Sequence, residues 1–157
     1  MDNFYESKPL AVFSVDTQIQ VDYLIKLGGE IDEKLRSYTG VVHNFDDTYG
    51  RFWLWLLGAY EVTRTLSQHA DSLDPNFAQK LKELKQYLAE VRMPFAKQEY
   101  RGKGGKIGND LCVVSIQQDM KFIIDGKPYF ARSVIDRVVA FFLSVDLKHL
   151  GVLTSNQ

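Results

Sequence analysis

The chain has 157 residues, 45% of them hydrophobic and 25% charged, and a formal net charge of -1. These are the proportions of an ordinary globular protein; a disordered chain would carry less apolar material or more net charge. The length is enough to bury a core without covalent staples, so one domain spanning residues 1–157 is expected.

A single cysteine, Cys112, excludes an internal disulfide. It lies in the apolar run LCVVSI, where a buried, inert thiol is the expectation, and a reducing cytoplasmic location fits that count. The amino terminus, MDNFYESKPL, is acidic and lacks an apolar core, so no secretory signal is expected. The longest apolar run, Phe52 to Tyr60, falls far short of the roughly 18–20 residues that cross a bilayer, and no membrane partner is expected. The near-neutral total hides an uneven distribution. Residues 1–50 carry nine acids against four bases, and residues 76–106 carry eight bases against three acids. Such a split can steer an anionic partner to one side, draw two copies together acidic end to basic end, or simply mark solvated helix faces.

In chain order, PLAVFSV at residues 9–15 is β-favouring and reads as an edge strand. Asp16 or Thr17 then offers a cap to a first helix. Its inner face is Leu24, Leu27, Ile31, Leu35 and Tyr38, at three- and four-residue spacing. Gly28-Gly29 inside it marks a place for a kink or break, and Gly40 is a stop. A second helix is expected from Asp47 or Thr48 to about Ala70. Phe52 to Tyr60 is apolar on all faces, which predicts a central pillar buried all round. Gly58-Ala59 at its middle lets a neighbouring helix come close.

Asp74-Pro75 pairs a cap with proline at the first helical position. Phe77, Leu81, Leu84, Leu88, Val91 and Phe95 follow at helical spacing. Pro94 predicts a kink or an end near Arg92. Four glycines in YRGKGGKIGN, residues 100–109, predict a loop. LCVVSI then reads as a strand, and MKFII-DG-KPYF as a hairpin with a type I′ turn at Asp125-Gly126. Ser133 can cap a last helix to about Lys148, with Val134, Ile135, Val138, Val139, Phe142 and Val145 facing the core. The fold class is therefore α+β and helix-dominated: about four helices, with a small antiparallel hairpin or meander inserted before the last. Phe52, Trp53, Trp55 and Tyr60 are a large aromatic load for one helix. The part a single bundle leaves uncovered would form a homodimer seam, unless the β insert covers it.

Most standard sites are excluded. Gly105-Lys106 is followed by Ile107 where a P-loop needs Ser or Thr, and Ile107 also stands in place of the third glycine of a dinucleotide fingerprint. His43, His69, His149 and Cys112 lack zinc-ligand spacing, so no metal and no cofactor is expected. The carboxylate pairs Asp46-Asp47 and Asp32-Glu33 read as a helix start and an exposed face.

Two features remain. Arg64 and His69 are separated by four residues, and this resembles the R-x4–6-H motif of the HEPN superfamily. Members of that superfamily are small four-helix bundles, many of them metal-independent RNases whose motif lies at a dimer interface. The resemblance implies His69 as acid/base and Arg64 as a phosphate clamp. Such a pairing is chemically sensible, since imidazole exchanges protons near neutral pH and guanidinium holds a phosphodiester bidentately. The same residues also suit a structural role, with His69 at a helix C-terminus and Arg64 paired with Glu61 or with a neighbouring helix. The second feature is a basic segment comprising Arg92, Lys97, Arg101, Lys103 and Lys106, an edge for RNA or another anionic partner, or a solvated connection. The expected function is that of a non-enzymatic interaction protein acting as a homodimer or other homo-oligomer, with the HEPN-like RNase as the alternative.

Overall fold

A computed structural model of the chain describes residues 15–37, 45–97, 113–115 and 118–145. Helix α1 is Val15–Arg36 and α2 is Phe45–Ser67, followed by a short 3-10 turn, Ala70–Ser72. Helix α3 is Pro75–Lys97. Strands β1 (Val113–Ser115), β2 (Lys121–Ile124) and β3 (Lys127–Phe130) precede α4, Ala131–Leu143. The fold is helix-dominated α+β, with the meander placed before the last helix. The edge strand expected at 9–15 lies outside the described residues, except Val15, which opens α1. Tyr38, Gly40 and Lys148 also lie outside them.

Helix α2 packs between α1 and α3, and α1 packs against α4. Rings from α3 and α4 close the bundle: Phe77 stacks on Phe141 at 5.3 Å, and the Arg137 guanidinium sits 4.1 Å over Tyr87. The three strands form an antiparallel sheet in the order β1-β2-β3. Phe122 of β2 enters the core beside Phe52 of α2 and Phe95 of α3, at 5.9 and 5.2 Å. The β insert therefore covers the Phe52 side of α2. Asp125 and Gly126 have φ of +50° and +73°, the two positive values that a type I′ turn demands.

Helix α2 is not buried all round. Phe52, Trp55, Leu56 and Ala59 are in the core, but Trp53 is 37% exposed and Leu54 59% exposed. Among the described residues, neighbours enclose the helix on the α1, α3 and sheet sides, and the stripe through Leu54 faces outward. The Trp53 indole N–H still donates to the Phe95 carbonyl at 3.2 Å.

Three local expectations are corrected. Helix α1 runs unbroken through Gly28-Gly29. A Cβ on Gly28 would lie 3.1 Å from Ile135 Cγ2, 3.2 Å from Trp55 Nε1 and 3.3 Å from Val139 Cγ2. Gly28 is thus a point of close approach, and the flanking helices splint it. A Cβ on Gly58 would meet only Leu24 Cδ2, at an ordinary 3.5 Å. The tight helix contact is therefore made at Gly28 and not at Gly58. Helix α3 continues past Pro94 to Lys97, beyond the end expected near Arg92. Pro94 and Phe95 are buried, and the Phe95 ring packs on Phe52 and Phe122 while its carbonyl holds Trp53. These tertiary contacts keep a last turn that an interior proline, costing about 3 kcal/mol, disfavours locally.

The start of α4 is also displaced. Ser133 lies inside the helix, because β3 runs into α4 with no intervening loop. Asp119 does the capping instead: Oδ1 accepts from the Arg132 N–H at 3.1 Å and the Met120 N–H at 2.7 Å. Asp74 caps α3 as expected, with Oδ1 accepting from the Asn76 and Phe77 N–H groups.

The glycine pair gives a direct test of this packing. Replacing Gly28 by alanine crowds three fixed neighbours, and overpacking of that kind costs about 1–3 kcal/mol. This outweighs the ~1 kcal/mol regained by removing a helical glycine. Gly29 has nothing within 4 Å of its would-be Cβ, so only the gain applies. Urea unfolding should show Gly28→Ala less stable than wild type and Gly29→Ala more stable by up to about 1 kcal/mol.

Candidate functional site

The charged end of α2 comes first. Arg64 lies in its last turn, and Nε donates to Glu61 Oε2 at 2.8 Å. The helix ends at Ser67, so His69 stands outside it, exposed, at the entry to the 3-10 turn. The two residues are therefore carried by different local structures. Arg64 is engaged with a carboxylate of its own helix, as the structural role anticipated.

The basic segment is divided. Lys97 ends α3, and its side chain, like Arg101, Lys103 and Lys106 entirely, lies outside the described residues. Arg92 is on the described part of α3 and is half-buried. Its guanidinium lies 4.4 Å over the Tyr60 ring, and Nη1 points to Met93 Sδ at 3.4 Å. Nε is buried with no hydrogen-bond partner. Lys82, Lys85, Gln86 and Ala89 surround it, and with Tyr60 and Met93 they line a pocket of about 240 Å³. Periodicity carried this group in plain view: Lys82, Lys85, Ala89 and Arg92 are spaced 3, 4 and 3.

A second concavity was missed altogether. Between α1 and α2 runs an apolar groove of about 490 Å³, whose walls include Ile19, Tyr23, Leu27, Leu54 and Gly58. Ile19, Tyr23 and Leu54 are 58%, 61% and 59% exposed. Ile19, Tyr23 and Leu27 repeat every four residues, a second apolar stripe beside the inner face of α1. On α2 the outward stripe reads Arg51, Leu54, Gly58, Glu61 and Thr65, apolar in the middle with opposite charges towards its ends.

Asp32 proves to be structural and not part of an exposed face. Its side chain is 15% exposed and joins α1 to α4: Oδ1 accepts from Arg132 Nε at 2.7 Å, and Oδ2 from Arg36 Nε at 2.6 Å. Burial works against its charge, but the hydrogen bonds from Arg132 and Arg36 outweigh it and hold the carboxyl below its usual range. Asp119, beside Arg132, shifts the other way, because burial exceeds the effect of its two backbone N–H donors. Asp47 is held low by Lys34 and Arg51, which fixes the start of α2 to the end of α1. Among the described residues no group of three or more His, Cys, Asp or Glu is placed to hold a metal, and no helix is long and apolar enough to cross a membrane.

Comparison with known proteins returned nothing: no family model, no curated protein and no solved structure matches the chain.

The Asp32 link carries a pH signature. A carboxyl with a lowered folded-state pKa contributes stability that is fully present above its unfolded value, about 3.9, and is lost as pH falls through the lowered folded value. Asp32→Asn is expected to be less stable than wild type by about 1–3 kcal/mol at pH 7. That difference should hold down to about pH 5 and narrow below pH 4, measured by denaturant unfolding across pH.

Proposed function

We propose that this is a non-enzymatic interaction protein that acts as a homodimer through the α1/α2 groove. The observation that carries the reading is the exposed cluster of Ile19, Tyr23 and Leu54 over a concave apolar floor. Apolar side chains gathered in this way mark association surfaces more often than solvent faces. The α2 stripe is also self-complementary. Two copies crossing antiparallel midway between Leu54 and Gly58 bring Arg51 of each against Glu61 of the other, and Leu54 of each against the other's Gly58. Gly58 lies on the wall of the groove beside Leu54 and adds no side-chain bulk to the contact. A two-fold contact requires this property, because one patch must fit itself. Both Arg51 and Glu61 are about half exposed, and their intrahelical partners Asp47 and Arg64 leave them able to turn towards a second copy.

Sedimentation measurements test the reading. Wild type should be dimeric at tens of micromolar, with Leu54→Glu and Tyr23→Glu monomeric and unchanged in helical content. Arg51→Glu and Glu61→Arg should each weaken the dimer, and their combination should restore it in part, as an Arg51–Glu61 contact across the axis requires. A wild type that stays monomeric at that concentration overturns the proposal.

The HEPN resemblance gains no support from the placement of its two residues, since the arginine holds Glu61. Wild type and His69→Ala incubated with RNA in chelator should give the same background cleavage. Cleavage by wild type alone would favour the nuclease.

A further inference from the structure

We infer that the pocket walled by Tyr60 of α2 and by Lys82, Lys85 and Arg92 of α3 binds the terminal phosphate of a small phosphomonoester. The site stands apart from the groove, because Tyr60 projects from a different face of α2 than Leu54 and Gly58. Nothing in the inference depends on dimerisation.

Three observations carry it. The first is charge. Three cations line one concavity of about 240 Å³, and no carboxylate lines it. Like charges at helical spacing repel one another. The helix does carry acids, but they lie elsewhere: Glu83 accepts from Gln79 Nε2, and Glu61 across the way is held by Arg64. Among the described residues no carboxylate lies within ion-pairing distance of Lys82, Lys85 or Arg92. An uncompensated triple charge in a hollow is the arrangement that a dianion relieves.

The second is the arginine itself. Arg92 is half-buried, its plane is fixed by the Tyr60 ring, and it has no oxygen acceptor among the described residues. Guanidinium groups are seldom left so when partly buried, because the lost hydration has to be replaced. Nε is enclosed, so the edge a ligand can meet is the Nη pair, and an Nη pair without an oxygen acceptor is prepared for a bidentate oxyanion, with the Tyr60 ring removing much of the ordering cost.

The third is shape, which separates a small ligand from a polymer. Lys82 to Arg92 spans ten residues of helix, about 15 Å, and the side chains converge on one bowl instead of following a track. Arg92 covers one face of the Tyr60 ring, and no second aromatic ring lines the hollow, whereas a single-strand platform needs rings in series. Ala89 and Met93 supply an apolar wall for the part of the ligand beyond the phosphate.

Calorimetric titration with inorganic phosphate at low ionic strength is the test. Wild type should show saturable one-to-one binding. Lys82→Gln/Lys85→Gln, which changes two side chains not buried in the core, should weaken it at least about tenfold while the melting temperature is kept. Arg92→Lys preserves the charge but removes the fork, and should also bind several-fold more weakly. A parallel titration uses an RNA oligonucleotide without terminal phosphates, and it should bind more weakly than phosphate does, with no loss in the double variant. The inference is overturned by unsaturable phosphate binding to wild type, or by a double variant that binds phosphate as wild type does. It is equally overturned if RNA binds more tightly than phosphate and loses affinity in the double variant, because the pocket would then be part of a phosphodiester track.

Discussion

The bundle is organised around one hydrogen bond and the gap that permits it. Trp55 Nε1 donates to the Leu24 carbonyl at 2.9 Å, across the seam between α2 and α1. That carbonyl is already the helical acceptor for the N–H of residue 28, so the indole reaches it only where residue 28 has no side chain. Ile135 and Val139 of α4 fill the other side of the same notch. Three helices thus converge on one glycine, and the largest fully buried side chain of the core is fixed in orientation by a polar contact. A buried indole N–H without an acceptor would cost about 1–3 kcal/mol, so the arrangement stands or falls as a unit.

Much of the fold was legible in the sequence, and the reasons are local. The spacing of Phe77 to Phe95 identified the inner face of α3, Asp74-Pro75 its start, and Asp125-Gly126 the turn, because in each case residues close in sequence decide the outcome. Failures came where distant residues decide. Pro94 marked a kink or an end of α3 near Arg92, yet the helix runs on to Lys97 with Phe95 gripped by rings from α2 and β2. Gly28-Gly29 marked a place for a kink or break, yet α1 is unbroken there and helix α4 makes the first of the two a packing notch. Ser133 had the chemistry of a cap, but Asp119, fourteen residues earlier in the chain, performs it. The aromatic load of α2 left open whether the β insert would cover it, and Phe122 does cover its Phe52 side. The exposed remainder is nonetheless centred on Leu54, with Ile19 and Tyr23 of α1, and includes only one tryptophan edge.

The sites show the same division. Arg64 and His69 look adjacent in sequence, but a helix end falls between them. Arg92 stood out in the sequence as part of a basic segment, whereas the cations that share its hollow are upstream in Lys82 and Lys85, and only the packing of Tyr60 against α3 turns that stripe into a hollow. The charge split along the chain also acquires a geometry. Basic residues of α3 gather on one side of α2, and the open apolar groove lies on another. A single helix therefore serves two unlike surfaces, with its buried face holding them in fixed relation.

The direct passage from β3 to α4 has a consequence for how this protein tolerates change. Phe130 is the last residue of the strand and Ala131 the first of the helix. A residue inserted at that junction would rotate all of α4 by about 100° relative to the sheet, turning Val134 and Val138 away from the interior. The stretch from Gln68 to Asp74 has slack of the opposite kind, since a lengthened surface connection adds only a slowly growing closure entropy. Length variation among natural versions of this chain should accumulate between α2 and α3 and be absent where ribbon becomes rod.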